Sequence, residues 1–149
     1  MPQEEIKIVS IWDGGVAGRG KVSGRKFHVD IAIPQFLGGG GEGADPKELF
    51  TSATAACLIS TLRSIAESKK LPLDSLTIAT EAEIDEERFS IVHIVELRLS
   101  CIAAEEQVYA AEKMIQAADR ICPMGKLARK AGVTIDIVRS VARAARRPC

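Results

Sequence analysis

Fourteen consecutive residues near the middle of the chain, LFTSATAACLISTL at 49–62, carry no charge. A helix start precedes them, because Asp45 can cap, Pro46 suits a first turn, and Glu48 follows at the capping-box spacing. Pro72 ends the helix downstream. A helix that is polar on no face packs on several sides, and its many small side chains let neighbouring backbones approach. The run therefore predicts a long, buried central helix.

The bulk composition predicts one globular domain. The 149 residues are 46% hydrophobic and 27% charged, with a formal net charge of +0. Such a chain can bury a real core, and its charge gives no reason to expect nucleic acid as a partner. Residues 139–149 hold four arginines and no acid. We expect a domain over 1–138 and a frayed, solvated basic tail over 139–149.

The state expected for the cysteines depends on the cellular compartment of the protein. We count no apolar run near the roughly 18 residues of a membrane span, and the acidic start MPQEEIKIVS lacks the order of a signal peptide. We therefore expect a cytoplasmic protein with no membrane partner, in which cysteines are redox-active or buried. The four cysteines are Cys57, Cys101, Cys122 and Cys149. With no CxxC spacing and with His28 and His93 apart from any cysteine, we expect neither a metal nor another cofactor.

Period-two alternation marks the strands. It appears over 6–11, 26–33, 76–84 and 91–101, and VTIDIV closes the pattern. The glycine-rich stretch between the first two strands predicts turns and a loosened hairpin. His28 falls on a polar face, where we expect it to be solvated. Cys101 falls beside Leu99 on a core face, where we expect a small buried hydrophobe.

The helices and strands occur in separate blocks along the chain and do not alternate one by one. An amphipathic pattern runs over 105–121, Cys122 and Pro123 interrupt it, and a short helix follows to Lys130. Such segregation predicts an α+β fold, with an antiparallel sheet and its helices on one side. One such layer leaves the central helix partly uncovered, so we expect a homodimer. GGGGEG at 38–43 predicts a mobile linker or lid.

Two of the cysteines are placed where chemistry is conceivable. Cys57 lies inside the apolar helix, where core filling is the simpler interpretation, and Cys122 lies at a break that could move a sulfur. A reactive sulfur must be a thiolate. Cys57 is about twelve residues past the cap, too far for the helix dipole to assist. A cation must come from elsewhere, and the loose hairpin at 14–25 offers arginines.

Two motifs resemble those of the OsmC/Ohr family (osmotically inducible protein C and organic hydroperoxide resistance protein). DPKELFTSATAACL is similar to the family's helix ending in alanine-cysteine, and ICPMGKLARKAGVTIDI to its cysteine-proline segment and final strand. IWDGGVAGRGKVSG resembles the opening hairpin of the OsmC branch more than that of the Ohr branch. The resemblance spans residues 6–138.

The resemblance implies an intertwined homodimer with active sites at the interface. It implies that Cys57 attacks an organic hydroperoxide, that Cys122 resolves the product as a disulfide, and that a dithiol, such as a lipoyl protein, recycles the pair. It also implies an arginine from the opening hairpin. Arg19 is the best match, and Arg25 is the alternative.

One departure affects that arginine. The family's usual glutamate after the proline, which orients the arginine, is replaced here by Lys47. Glu48 could supply the carboxylate across the dimer, or it could serve only as a cap partner. The apolar side chains of Phe50, Leu58 and Ile59 favour a hydrophobic peroxide as the substrate. The other function we weigh is a non-peroxidatic stress or binding module.

Overall fold

The computed structural model describes residues 3–145 and Cys149. The chain is α+β, and its contacts divide it into two compact units, residues 1–50 and 51–149. The elements are β1 (Val9–Asp13), β2 (Arg19–Ser23), β3 (His28–Ile31), a 3-10 turn (Gln35–Leu37), α1 (Pro46–Ser68), β4 (Leu73–Ile84), β5 (Phe89–Leu99), α2 (Glu105–Ile121), α3 (Pro123–Lys130) and β6 (Thr134–Arg143).

The first unit is built on a three-stranded antiparallel sheet in the order β1-β2-β3. The middle strand, β2, lies in the glycine-rich stretch for which the sequence predicts turns. Gly20 makes this possible, because a Cβ there would lie 2.6 Å from the Trp12 ring and 2.9 Å from the Ile11 carbonyl oxygen. Every residue of β1 is exposed, and so is His28, as expected.

The glycine-rich segment 38–43 is not the mobile linker that its composition predicts. Backbone hydrogen bonds tie it and its flanks to residues 30–34, including Gly41 N–H to Ile33 O at 3.0 Å and Ala44 N–H to Asp30 O at 2.8 Å. A Cβ at Gly39 would overlap the Ile33 carbonyl. The glycines therefore permit close backbone packing, and the loop holds a fixed course.

The second unit contains the sheet β4-β5-β6. β4 and β5 pair antiparallel over most of their length, as the alternation predicts. β6 runs parallel to β5, so the expectation of a purely antiparallel sheet was wrong. α2 and α3 connect β5 to β6, and such a helical crossover brings the chain back in the same direction.

One side of α1 enters the core of the second unit. Leu58, Leu62 and Ala66 are almost fully buried and pack with β5 and α2. The opposite side, lined by small residues such as Ala53 and Ala56, is exposed in the single chain. The predicted helix is confirmed, but one chain buries it on one side only.

By length and composition, α1 is also apolar enough to cross a membrane, with 22% of its apolar window buried. This corrects the expectation that no run approaches that length. Its hydroxyl side chains bond to carbonyls of the same helix, as Thr54 does to Thr51 O at 2.7 Å, and so add little polar surface.

The C-terminal region differs from the predicted frayed tail. β6 continues to Arg143, whose guanidinium donates to the Ala103 carbonyl at 2.8 Å and to the Glu105 carboxylate at 2.6 Å. The expectation of a frayed terminus was therefore wrong for residues 139–143, although most of them are exposed. The remaining arginines of the predicted tail, Arg146 and Arg147, lie outside the described residues.

Cys101 is not the buried hydrophobe that the alternation predicts. β5 ends at Leu99, so the period-two pattern stops before Cys101, which is half-buried in the following turn. Its sulfur forms a disulfide with Cys149, across a Cα–Cα distance of 6.1 Å. That distance is within the usual range for a disulfide. This bond gives Cys149 a partner that the sequence did not indicate.

Candidate active site

Cys57 lies in the third turn of α1, on the border between the buried and exposed sides of the helix. Its thiol is free and half-buried. The Cys57 carbonyl accepts hydrogen bonds from Thr61 Oγ1 at 2.7 Å and Ser60 Oγ at 3.1 Å. The hydroxyl side chains around the sulfur are thus occupied within the helix, and Cys57 is the ionisable group of this stretch.

Cys122 lies at the junction of α2 and α3 and is 2% exposed. Its backbone has φ −57° and ψ 113°, outside the helical region, as the following Pro123 requires. The helix break predicted from Cys122-Pro123 is therefore confirmed. It turns the residue so that its side chain belongs to the main core cluster, against which Cys57 also packs.

The two thiols lie close enough for Cys57 to influence the ionisation of Cys122. Burial first, and the hydrogen bond to Cys57 second, raise the pKa of the Cys122 thiol to about 11. The backbone amides of Gly125 and Met124 oppose this rise without cancelling it. Cys122 therefore stays protonated near neutral pH and can donate to the more accessible Cys57 sulfur. The pair is unequal: one sulfur is reachable, and the other is a buried proton donor.

The raised pKa predicts a loss of stability in alkali. Between the ordinary value near 9 and about 11, the unfolded chain has released the Cys122 proton while the folded chain retains it. Stability must then fall as pH rises through this window, by on the order of 2 kcal/mol for this group. Urea unfolding of the reduced protein and of Cys122→Ala from pH 8 to 11 should give a steeper decline for the parent. Parallel declines would contradict the prediction.

Arg19 begins β2 in the first unit and forms an ion pair with Glu42 of the glycine-rich loop. Both side chains are largely exposed, at 68% and 69%. Sequence reasoning missed Glu42, although it is the single charged residue of GGGGEG. Arg25, the alternative arginine, is exposed in the turn between β2 and β3.

Glu48 takes part in the start of α1. Its carboxylate accepts the Asp45 N–H at 3.2 Å, the bond expected of a capping box. Lys47 pairs with the Asp45 carboxylate at 2.8 Å, and this hydrogen bond is the main cause of a lowered pKa for Asp45. Of the two roles considered for Glu48, the cap is seen within the chain, and the role across a dimer stays a prediction. The carboxylate that meets Arg19 is Glu42.

The apolar residues proposed for substrate contact are not equivalent. Leu58 is 1% exposed in the core cluster, so its suggested contact with a peroxide was wrong: it lies one residue after Cys57 and points into the core. Ile59 is half-buried, whereas Phe50 is exposed.

The fold and the thiol pair define an α+β protein with two free cysteines at one core cluster. The family model for OsmC-like protein matches residues 39–138, so the chain belongs to the OsmC-like family. It is 28% identical over 118 residues to an organic hydroperoxide resistance protein of Xanthomonas axonopodis pv. citri, covering 78% of this chain and 82% of that one. It is 26% identical over 131 residues to the uncharacterized protein YmaD of Bacillus subtilis, covering 85% and 87%.

Among solved structures, the fold is similar to that of an organic hydroperoxide resistance protein OsmC from Legionella pneumophila. The TM-score is 0.67 at 20% identity, and the match covers 95% of this chain and 100% of that one. At this identity the likeness bears on the fold alone. The order of strands and helices is therefore that of OsmC and organic hydroperoxide resistance proteins.

Proposed function

We propose that the chain is a thiol-dependent peroxidase that reduces organic hydroperoxides. The observation that carries this proposal is the pair of free thiols at one core cluster, with Cys57 half-buried and Cys122 buried. Relatives named organic hydroperoxide resistance proteins support the choice of substrate class.

The reaction divides into two steps. The Cys57 thiolate attacks the terminal oxygen of the hydroperoxide, the O–O bond breaks, and the alcohol leaves with a proton while Cys57 becomes a sulfenic acid. The Cys122 sulfur then attacks the Cys57 sulfur, the S–O bond breaks, and water leaves. A dithiol, which a lipoyl protein of the cytoplasm could supply, reduces the disulfide and restores both thiols.

One equivalent of cumene hydroperoxide added to the reduced protein tests the reaction. We expect the intact mass to fall by two hydrogen atoms and peptide mapping to find a disulfide between Cys57 and Cys122. In Cys122→Ser the sulfenic acid has no such partner, so repeated additions should add two or three oxygens to Cys57. A disulfide from Cys57 to Cys101 or Cys149 in that variant would contradict the role of Cys122.

The second candidate is a non-peroxidatic stress or binding module. Lys47 favours it, because a lysine paired with Asp45 stands where the family usually has the arginine's carboxylate. The two candidates differ in one result. A binding module would leave the hydroperoxide unconsumed and both thiols free after long incubation.

We further propose that the protein is a homodimer in which the second subunit covers the exposed side of α1. Small residues there, such as Ala53, Ala56 and Ser60, would let a second helix approach closely. Sedimentation at micromolar concentration should give a dimer, and Ala56→Arg should shift it to monomer. Gln116→Arg, on the exposed side of α2, is the matched control and should leave the dimer intact. A monomeric parent would contradict the proposal.

A further inference from the structure

A charged cluster in the second unit lies at the break between α2 and α3, beside Cys122. Arg129, near the end of α3, directs Nη2 to both carboxylate oxygens of Asp119 at 2.9 Å and to the Ile135 carbonyl at 3.0 Å. Its Nη1 donates to the Asp119 backbone carbonyl at 3.4 Å. One guanidinium therefore joins α2, α3 and the start of β6.

The backbone bond to Asp119 has a particular reason. In an uninterrupted helix, the N–H of residue 123 would donate to the carbonyl of residue 119, four positions earlier. Pro123 has no N–H, so that carbonyl loses its helical partner. Arg129 Nη1 takes the place of the missing donor. The side chain thus repairs the hydrogen-bond pattern at the residue pair that creates the break.

The same guanidinium and the Cys122 sulfur both lie beside Gly125. A Cβ atom on Gly125 would lie 3.7 Å from Cys122 Sγ and 3.8 Å from Arg129 Nη1. Both atoms therefore border the same open space, which glycine leaves unfilled. A shift of the guanidinium would change the room around the sulfur directly.

The cluster rests against the core through His93. This imidazole is 2% exposed and bonds to Thr80 Oγ1 at 2.9 Å. Burial lowers the pKa of His93, while the charges of Asp119 and Arg129 act on that pKa in opposite directions.

We propose that Arg129 is a positioning residue for the resolving step, holding Cys122 toward Cys57 by joining Asp119 to β6 across the helix break. The inference rests on the proposed peroxidase function. In that step the Cys122 sulfur bonds to the Cys57 sulfenic sulfur, the S–O bond breaks, and the oxygen leaves as water with the thiol proton. Arg129 exchanges no proton or electron. It fixes where the attacking sulfur lies.

The test separates the two steps in Arg129→Ala. Stopped-flow oxidation with cumene hydroperoxide should give a first-oxidation rate within about two-fold of the parent, because Cys57 and its helix are untouched. Disulfide formation should slow by roughly tenfold or more, on the scale of a misplaced reacting group. The overoxidised fraction of Cys57 should rise in proportion. Arg120→Ala, on the exposed side of α2, is the matched control and should match the parent in both steps.

Two further variants guard against a folding defect. Arg129→Lys should recover only part of the disulfide rate, since one ammonium cannot reproduce the planar set of bonds. Asp119→Asn keeps the backbone carbonyl and the side-chain size, and should be intermediate. Parental disulfide rates in Arg129→Ala would overturn the inference, and so would an equal loss in both steps, which would indicate a general structural role.

Failure of the proposed function would be visible separately. Diamide converts neighbouring thiols to a disulfide without any peroxide, so it reports the geometry of the pair alone. Slower diamide closure in Arg129→Ala than in Arg120→Ala would support the positioning role even if the parent consumed no hydroperoxide. Equal closure rates would overturn it. A parent inactive toward hydroperoxide would overturn only the peroxidase assignment.

Discussion

Cys57→Ser is expected to abolish the reduction of organic hydroperoxides. A serine hydroxyl at this position is not ionised at neutral pH and cannot attack the O–O bond, whereas a thiolate can. The expected loss reaches the uncatalysed background with cumene or tert-butyl hydroperoxide and excess dithiol. Turnover is measured by the disappearance of the hydroperoxide, so that slow dithiol recycling cannot be mistaken for lost chemistry.

Cys101→Ser is the matched control, since its sulfur belongs to the separate disulfide with Cys149. It should retain the parental rate of hydroperoxide consumption. Activity of Cys57→Ser within a few-fold of the parent would remove Cys57 from the mechanism. Activity lost equally in both serine variants would point to a general effect of removing a cysteine.

Arg19→Ala is expected to slow the first oxidation by about 10²-fold, the scale of losing one electrostatic contact in a reaction. Cys57 lies too deep in α1 for the helix dipole to stabilise its thiolate, so a fixed cation must come from elsewhere. Guanidinium suits this task because it stays charged when partly buried and can hold peroxide oxygens. Single-turnover oxidation followed by stopped flow measures the effect.

Three companions to Arg19→Ala test its placement. Arg25→Ala should have little effect. Glu42→Gln removes the arginine's carboxylate and should cause a smaller loss than Arg19→Ala, because the guanidinium itself remains. Adding Lys47→Glu to Glu42→Gln should restore part of the rate by returning a carboxylate to the family's usual position. If Arg25→Ala were the damaging variant, our assignment of the hairpin would be wrong.

The parts of the fold that follow from local chemistry were predictable. A capping residue, a proline and a glutamate within four residues indicate the start of α1, and Glu48 forms the expected bond. The break at Cys122 follows from Pro123 in the same way. Both depend on neighbours in the chain, so a single sequence contains the information.

Contacts between distant residues were not predictable in this way. Glu42 meets Arg19 across 23 positions, and nothing in GGGGEG indicates which cation its carboxylate will reach. The composition even suggested the opposite property, mobility, because glycine serves close packing as readily as it serves freedom. The disulfide between Cys101 and Cys149 joins residues 48 positions apart. It was not predicted, because the local sequence around a cysteine does not indicate its partner.

The parallel direction of β6 was not predictable for a similar reason. Its alternation identifies a strand and its buried face, but alternation is the same whichever way a neighbour runs. Direction depends on the length and course of α2 and α3 between the strands. For the site, the two cysteine motifs of the resemblance pointed to the thiol pair that the structure brings together, whereas spacing alone favoured core filling for Cys57.

The link from Cys101 to Cys149 also sets the electron inventory of the chain. With that bond closed, the chain holds one pair of free thiols, Cys57 and Cys122, and in the reaction we propose this pair passes two electrons to one molecule of hydroperoxide. After treatment with strong reductant, four thiols are present, and a peroxide titration can consume twice as many equivalents. Stoichiometry is therefore interpretable only when the starting state of the second pair is known. Cys101→Ser combined with Cys149→Ser makes the inventory that of a single pair.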